Sequence, residues 1–374
     1  MKRNVSEIVK PRPESWSPLK KIFRSIPAAI AFSVITAFPA LANTEIHFLD
    51  VGQGLSILIG SEGHYMLYDG GDRDKSSFVV AYLQKEGVSS LDYVVASHYD
   101  SDHLNGIVGA LHAFPVKQVY SPNYKTTSDI FESFDQIVAS KGIPRSQPSV
   151  GTAFQVGDAK ITVLGPVGSD YEIENNYSIA VRVQDGNKSI LITGDAEAQS
   201  EAEMLAAGQI SDADVYVAGH HGSATSTSWA LLQAAAPQAV VISCGAENQY
   251  GCPSADTLTK IQTIGADLYR TDKQGSIKLA INDDQLTWNV DPTSDYTPGT
   301  STGQAAQPQV NAGSDSSAAP AIPVQSNTAI VYWTPNGKSY HADRNCATLK
   351  RSKTILSGAL AESGKTDSCN VCVK

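Results

Sequence analysis

Ser97-His98-Tyr99-Asp100-Ser101-Asp102-His103 follows directly on the apolar run Tyr93–Ala96 and leads into a helical repeat of Leu104, Ile107, Val108 and Leu111. Four groups able to bind a cation, His98, Asp100, Asp102 and His103, are thereby confined to one tight turn between a strand and a helix. Two carboxylates held so close repel each other and raise each other's pKa unless a cation relieves them. Imidazole with carboxylate is an ordinary donor set for a divalent metal. The competing reading is a solvated acidic turn with two incidental histidines.

Further donors stand where a metal site needs them. Leu191-Ile192-Thr193-Gly194-Asp195 sets a carboxylate just past an apolar strand, and Val215-Tyr216-Val217-Ala218-Gly219 ends another strand at His220-His221. Asp69, in Tyr68-Asp69-Gly70-Gly71, ends a third. Taken singly, Asp195 reads as a helix N-cap, Asp69 as a turn former and one of the paired histidines as a packed core group. Taken together, polar groups at several strand ends are how an α/β scaffold builds a rigid site.

The surrounding chain fits that scaffold. Strands are expected at Glu45–Asp50, Ser56–Ile59, Tyr65–Tyr68, Tyr93–Ala96, Lys117–Tyr120 and Lys160–Leu164. Others are expected at Ile179–Val183, Ser189–Ile192, Val215–Val217, Ala239–Ile242, Ile277–Ile281 and Leu286–Trp288. Helices are expected near 76–86, 128–140, 197–207, 226–235 and 255–264. Early hairpin-like strands followed by strand–helix units predict a layered α/β body with two sheets and helices outside.

Around this body, residues 1–42 read as a signal peptide: Lys20, Lys21 and Arg24 precede the apolar run Ile26–Ala42, which ends in Ala40-Leu41-Ala42. An uncleaved anchor is the alternative, and the rest of the chain holds no second run of membrane-spanning length. The expected location is therefore outside the cytoplasm, periplasmic or extracellular, with no integral membrane domain. The body is assigned to 43–290. Residues 291–327 are rich in Ser, Thr, Ala, Pro, Gly and Gln and read as a flexible linker to a module at 328–374.

Charge divides along the same boundaries. Of 28 Lys and Arg and 38 Asp and Glu, seven and two lie in 1–42, and seven and three in 328–374. The stretch 43–327 thus carries 14 against 33, a net charge of −19, which disfavours a broad basic face for nucleic acid. The tail, at +4, is the part that could attract a polyanion.

Several further stretches accompany these donors: Phe48-Leu49-Asp50-Val51-Gly52-Gln53-Gly54, Asn175-Asn176-Tyr177-Ser178, Asn248-Gln249-Tyr250-Gly251 and Thr271-Asp272-Lys273-Gln274-Gly275. With them, in this order over nearly all of 45–290, the chain resembles the metallo-β-lactamase superfamily, and within it the hydrolase domain of ComEC-like competence proteins. The resemblance implies an αββα sandwich with two divalent metal ions, zinc or manganese, that activate water for hydrolysis. It implies His98 and Asp100 at one metal position, Asp102, His103 and His221 (or His220) at the other, and Asp195 between them. On this reading Asp102, Asp195, His220 and His221 carry the catalysis. Asp50 and Asp69 stand behind the ligands, and Asn176 and Ser178 contact substrate. It points to a phosphodiesterase or DNase acting on DNA or another phosphodiester. A small-ester hydrolase of the phosphorylcholine esterase, lactonase or β-lactamase type is the alternative within the enzyme class.

Three departures from the family pattern matter. His98-Tyr99-Asp100 stands where His-x-His is common, which enriches the site in oxygen and favours manganese more than an all-histidine site would. No histidine occurs between His112 and His220. Cys252 stands where relatives carry a histidine. With Cys244 eight residues earlier in an exported chain, a Cys244–Cys252 disulfide is expected, Cys252 as a metal ligand being the alternative.

In the tail, His341, Cys346, Cys369 and Cys372 have the spacing of a closed tetrahedral zinc site and resemble Ada-type modules. Disulfides among the thiols are the alternative. Tyr332, Trp333 and Lys350-Arg351-Ser352-Lys353 would suit a tether to nucleic acid or an envelope polymer, a purely binding role for the chain if the body were inactive.

Overall fold

The computed structural model describes residues 44–300, except 247, and parts of 330–369. The expected signal peptide and most of the linker lie outside the described residues. The body opens with β1 (Thr44–Phe48), β2 (Ile57–Ser61) and β3 (His64–Tyr68), an antiparallel meander, then α1 (Ser76–Lys85), β4 (Leu91–Val95) and α2 (Ser101–Ala113). β5 (Val116–Tyr120), α3 (Asp129–Ser140) and β6 (Arg145–Ser146) follow. A second meander of β7 (Ala153–Val156), β8 (Ala159–Val163), β9 (Val181–Asp185) and β10 (Lys188–Ile192) comes next.

The chain then alternates α4 (Ala198–Ala206), β11 (Val215–Val217), α5 (Trp229–Ala235), β12 (Ala239–Ile242), α6 (Ala255–Ile264) and β13 (Asp267–Arg270). It closes through α7 (Thr271–Gln274), β14 (Ile277–Asn282) and β15 (Gln285–Trp288). Among the described residues one sheet runs β15-β14-β1-β2-β3-β4-β5-β6 and the other β13-β12-β11-β10-β9-β8-β7.

The inner faces meet in one core: Ile46, Phe48, Ile57, Ile59 and Met66 from the first sheet, Ile161, Val183, Ile190, Val215 and Val241 from the second. The outer faces are covered too. Leu58, Leu67 and Val94 pack under α1–α3 with Leu83, Leu104 and Phe134, and Leu191, Tyr216 and Val240 under α4–α6 with Met204, Leu231 and Ile261. Burial on both faces explains why these strands read as apolar runs rather than strict alternations. The layers are αββα, as the resemblance implies.

Three short strands escape the sequence pattern. β6 spans two residues, β7 offers only Phe154 and Val156 as large apolar groups, and β13 begins with Asp267 and ends with Arg270. Arg270 also corrects the expected linker boundary. Its guanidinium, 1% exposed, pairs with Asp272 at 2.8 Å and donates to the carbonyls of Asp295 (2.9 Å) and Thr297 (2.7 Å). Thr293 N donates to Leu268 O, and Gly299 N to Pro253 O. The first nine residues of the low-complexity stretch are thus strapped to the body by their main chain, a bonding mode that composition does not reveal.

In the tail, β16 (Ile330–Trp333) pairs with β18 (Leu356–Ala359), and β17 (Ser339–Tyr340) with β19 (Asp367–Ser368). β16 alternates faces. Val331 and Trp333 pack with Leu356 on Trp229 of α5, while Tyr332 packs on Cys346, Leu349 and Cys369. Trp333 is 2% exposed, so the expected tether through its ring is corrected: the ring is spent on the body. Of the basic run, residues 351–353 lie outside the described residues. Among the described residues no helix is long and apolar enough to cross a membrane.

Candidate metal centre

The expected donors gather at the C-terminal ends of parallel strands, where an open α/β sheet places its ligands. Asp69 follows β3, the Ser97–His103 turn follows β4, Asp195 follows β10 and the paired histidines follow β11. Close approach of β3 to α2 is set by two glycines. A Cβ on Gly70 would lie 2.2 Å from Ile107 N, and one on Gly106 would lie 1.9 Å from Gly70 O. Gly70 N donates to His103 O at 2.6 Å, fixing the imidazole-bearing turn against the strand end.

Asp69, fully buried, orders this corner. Its Oδ1 accepts from Ser97 N (2.7 Å), and its Oδ2 accepts from Ser97 Oγ (2.7 Å) and His103 Nδ1 (2.8 Å). The single hydroxyl proton of Ser97 goes to Asp69, so His98 Nδ1, 3.0 Å away, is the donor to Ser97 Oγ. His221 Nδ1 donates to Ser243 O at 3.0 Å, just past β12. In all three rings the Nδ1 proton is pinned and Nε2 is turned to the cleft. That is how imidazoles are presented to a metal.

Around these nitrogens the geometry is tight. His103 Nε2 lies 3.2 Å from His221 Nε2 and 3.2 Å from Asp195 Oδ2. His221 Nε2 lies 3.3 Å from Asp102 Oδ2 and 3.4 Å from Asp195 Oδ2. The ligand atoms of His98, His103 and Asp195 all fall within 4.8 Å of one another, as do those of Asp102, His103 and His221. Asp100 is peripheral, its side chain 49% exposed and its carboxylate 3.6 Å from His98 Nε2. His98 Nε2 and Asp195 Oδ1 are buried without a hydrogen-bond partner. Buried polar atoms are rarely left so, and both belong to the same donor group. The donor set fits divalent cations.

Electrostatics bear the marks of this crowding. Burial alone would raise the Asp195 carboxyl, but His103, His221 and His220 hold it well below the usual carboxylate range. Burial would likewise raise Asp102, and His103 and His221 pull it down. Against burial, Asp195 and Asp69 lift His103 well above the ordinary histidine value, and Asp195 and Asp102 lift His221 to about 10. The backbone is strained here as well. Asp69 (φ 56°), His220 (φ 50°) and His221 (φ 56°) are left-handed, at about 1–3 kcal/mol each.

The second meander and the helices after it complete the frame. His220, on the rim, sits 3.7 Å from Asp195 and 3.5 Å from Glu197, with Nδ1 3.0 Å from Thr225 Oγ1. Buried Glu201 accepts from Thr227 N (2.6 Å) and Ser228 N (2.8 Å) and so locks the loop beyond the histidines. Ser97, Ser243, Glu197 and Glu201 carry no motif signal. Only their partners across the fold reveal them.

Four expectations are corrected. Asn176 is 1% exposed and its Oδ1 accepts from Glu197 N and Ser200 N, capping α4 instead of reaching substrate. Ser178 is fully buried and accepts from Asp195 N at 3.1 Å, so it holds the main chain that bears the carboxylate. The Asp50 carboxylate accepts from Gly52 N at 3.2 Å and shapes its own turn, with no bond to a donor among those described. Cys244 and Cys252 are free, buried thiols. Cys244 packs in the core beneath α5 and α6, whereas Cys252 Sγ is directed at His220 O, 4.0 Å away. Burial, then Asp195 and Asp102, push the Cys252 thiol up to about 12.

The profile of the family described as "Metallo-beta-lactamase superfamily" matches residues 49–246, more than half of the chain and the whole of this donor set. The chain belongs to the metallo-β-lactamase superfamily. Members of this superfamily are metal-dependent hydrolases, and the fold implies divalent metal ions. Among relatives, the chain is 28% identical over 282 residues to "ComE operon protein 3" of Bacillus subtilis, covering 70% of this chain and 36% of that one. It is 31% identical over 247 residues to "Recombination protein 2" of Haemophilus influenzae, covering 65% and 29%. The chain thus matches about a third of the length of these relatives. Among solved structures, the metallo-β-lactamase fold protein YhfI of Bacillus subtilis aligns with a TM-score of 0.43 at 15% identity, covering 61% of this chain and 96% of that one. Within the superfamily, the chain is ComEC-like.

The tail carries a second donor group. His341, Cys346 and Cys369 place their ligand atoms within 4.8 Å of one another, all three buried, with the two sulfurs 3.8 Å apart. Cys372, the expected fourth donor, lies outside the described residues.

Proposed function

We propose that this member of the metallo-β-lactamase superfamily is an exported phosphodiesterase that cleaves DNA. The observation that carries the hydrolytic reading is the cluster of His98, Asp102, His103, Asp195 and His221, whose ligand atoms form two groups that share His103, with two buried atoms left unbonded. Relatives named for recombination and for competence support DNA as the phosphodiester. The sequence of residues 1–42 supports export.

His98, Asp102, His103, Asp195 and His221 would hold two divalent cations, with Asp195 between them and Asp100 on the outer side of His98. When bound, such cations supply a lowered water pKa and electrophilic help to the phosphoryl oxygens. The chain's own residues do the rest. Asp69 and Ser97 fix the His98 and His103 tautomers, Ser243 fixes His221, and Ser178 holds the main chain of Asp195. His220 holds a proton at Nε2, steadied by Glu197 and Thr225 on its other nitrogen, and delivers it to the leaving oxygen as the P–O bond breaks. Manganese suits the oxygen-rich set better than it would an all-histidine site, and zinc suits the tail's His/Cys group.

Purified protein supplied with Mn²⁺ or Zn²⁺ is expected to cleave single- or double-stranded DNA, with no cleavage in EDTA. Intact DNA under every divalent metal would overturn the reading. In the tail, Cys346→Ser is expected to remove one zinc equivalent by native mass spectrometry. An unchanged metal count would refute zinc there.

A further inference from the structure

The metal cluster opens on a cleft of about 400 Å³, within the size range of small-ligand sites, and Asp102 of the cluster lies in its wall. Gln53, Asp72, Ser101 and Asn248 share that wall, which among the described residues has carboxylates but no lysine or arginine. Beyond the donor cluster, the described lining offers hydrogen-bonding groups and an aromatic ring. Tyr250 also borders this cleft, and at 57% exposure it is the most exposed large hydrophobic residue among those described.

The loop that bears Tyr250 is built to hold it. Asn248, 5% exposed, donates from Nδ2 to Gly245 O (2.9 Å) and Cys252 O (2.5 Å). Its Oδ1 accepts from Tyr250 N (3.1 Å) and Cys252 N (3.0 Å). The amide has spent its hydrogen-bonding capacity on the loop, so it positions rather than binds. Gly245 seats the loop on the body: a Cβ there would lie 2.7 Å from Gln53 N. An aromatic ring is thus projected beside the cleft from a backbone already fixed, so little ordering entropy remains to be lost on binding.

We propose that Tyr250 is a stacking platform for an unpaired nucleobase next to the scissile phosphodiester, which makes the substrate of this site a single strand. The inference rests on the phosphodiesterase reading above. A base–aromatic stack is sequence-tolerant and works without a basic groove, whereas a base inside a duplex has both faces covered and cannot use the ring.

The test compares a 12-nucleotide dT oligomer with an abasic oligomer of equal length and charge. Binding is read by fluorescence anisotropy in EDTA, where turnover is off, and KM and kcat are read with Mn²⁺. Because both ligands carry the same phosphates, their affinity ratio isolates the bases. Wild-type protein is expected to favour dT by roughly 5- to 150-fold, the worth of one stack. Tyr250→Ala should bring the ratio to about one by raising KM for dT, leaving kcat and the abasic oligomer unchanged, whereas Tyr250→Trp should keep it. An rU oligomer run in parallel separates DNA from RNA as the source of the base. Equal wild-type affinities for dT and abasic strands, or a ratio that survives Tyr250→Ala, would overturn the proposal. Discrimination in binding with no cleavage under any metal would instead sink the phosphodiesterase reading and leave the stacking intact.

Discussion

Asp195→Asn is expected to lower kcat/KM by roughly 10³-fold and to strip most of the metal from the protein as purified. The reason lies in what one carboxylate is asked to do. Its Oδ2 faces His103 at 3.2 Å, His221 at 3.4 Å and His220 at 3.7 Å, and its Oδ1 is buried with nothing bound to it. An amide of the same shape keeps one oxygen, loses the charge and turns an N–H donor toward nitrogens that must accept. The fold should survive, because no strand or helix depends on this side chain for a cap. Metal content by mass spectrometry, circular dichroism and turnover measured on one sample separate the possibilities. Wild-type metal content in a folded, inactive variant would show that Asp195 acts on substrate alone. Asp50→Asn is the control. The Asp50 carboxylate accepts from Gly52 N in its own turn, and neither metal content nor rate should change.

That contrast marks what the sequence could and could not convey. Asp50 and Asp69 look alike on paper, each an aspartate at the end of an apolar strand. One reaches Gly52 N and the other reaches His103 across 34 residues, and only the sheet order decides between them. Donors that fall in one turn, as His98 to His103 do, are legible because proximity in sequence guarantees proximity in space. The layered fold was equally legible, since each buried strand and amphipathic helix carries its own local period. Groups that act by reaching a distant backbone atom leave no such trace. Asn176 looks like a substrate contact until its oxygen is found on Glu197 N and Ser200 N, and Arg270 looks like a surface charge until it is found clasping Asp295 and Thr297. The missing disulfide has the same origin. Eight residues separate Cys244 from Cys252, but the intervening loop is closed by the Asn248 amide, which sends one sulfur into the core and the other toward His220.

Removing the metal should abolish turnover and leave a fold whose stability depends on pH in a defined way. In the metal-free cluster His103 is raised well above its ordinary value and His221 to about 10, both against burial, by Asp195 and its neighbouring carboxylates. A raised histidine contributes stability fully below its unfolded value of 6.5, and that contribution fades as pH climbs through the folded value. Asp195 is lowered, so it contributes above its unfolded 3.8 and loses that contribution as pH falls through the lower folded value. Together these groups stabilise the metal-free protein most between about pH 4 and 6.5 and progressively less toward pH 10. At neutral pH the rings therefore hold protons on the nitrogens a cation needs, and metal must displace them. Metal binding is expected to release about one to two protons at pH 7.5, seen by calorimetry in two buffers of different ionisation heat. The rise in Tm on adding Mn²⁺ or Zn²⁺ to EDTA-treated protein should be larger at pH 8.5 than at pH 6. A metal-induced rise in Tm that is the same at both, with no proton release, would mean that His103 and His221 do not face a shared cation.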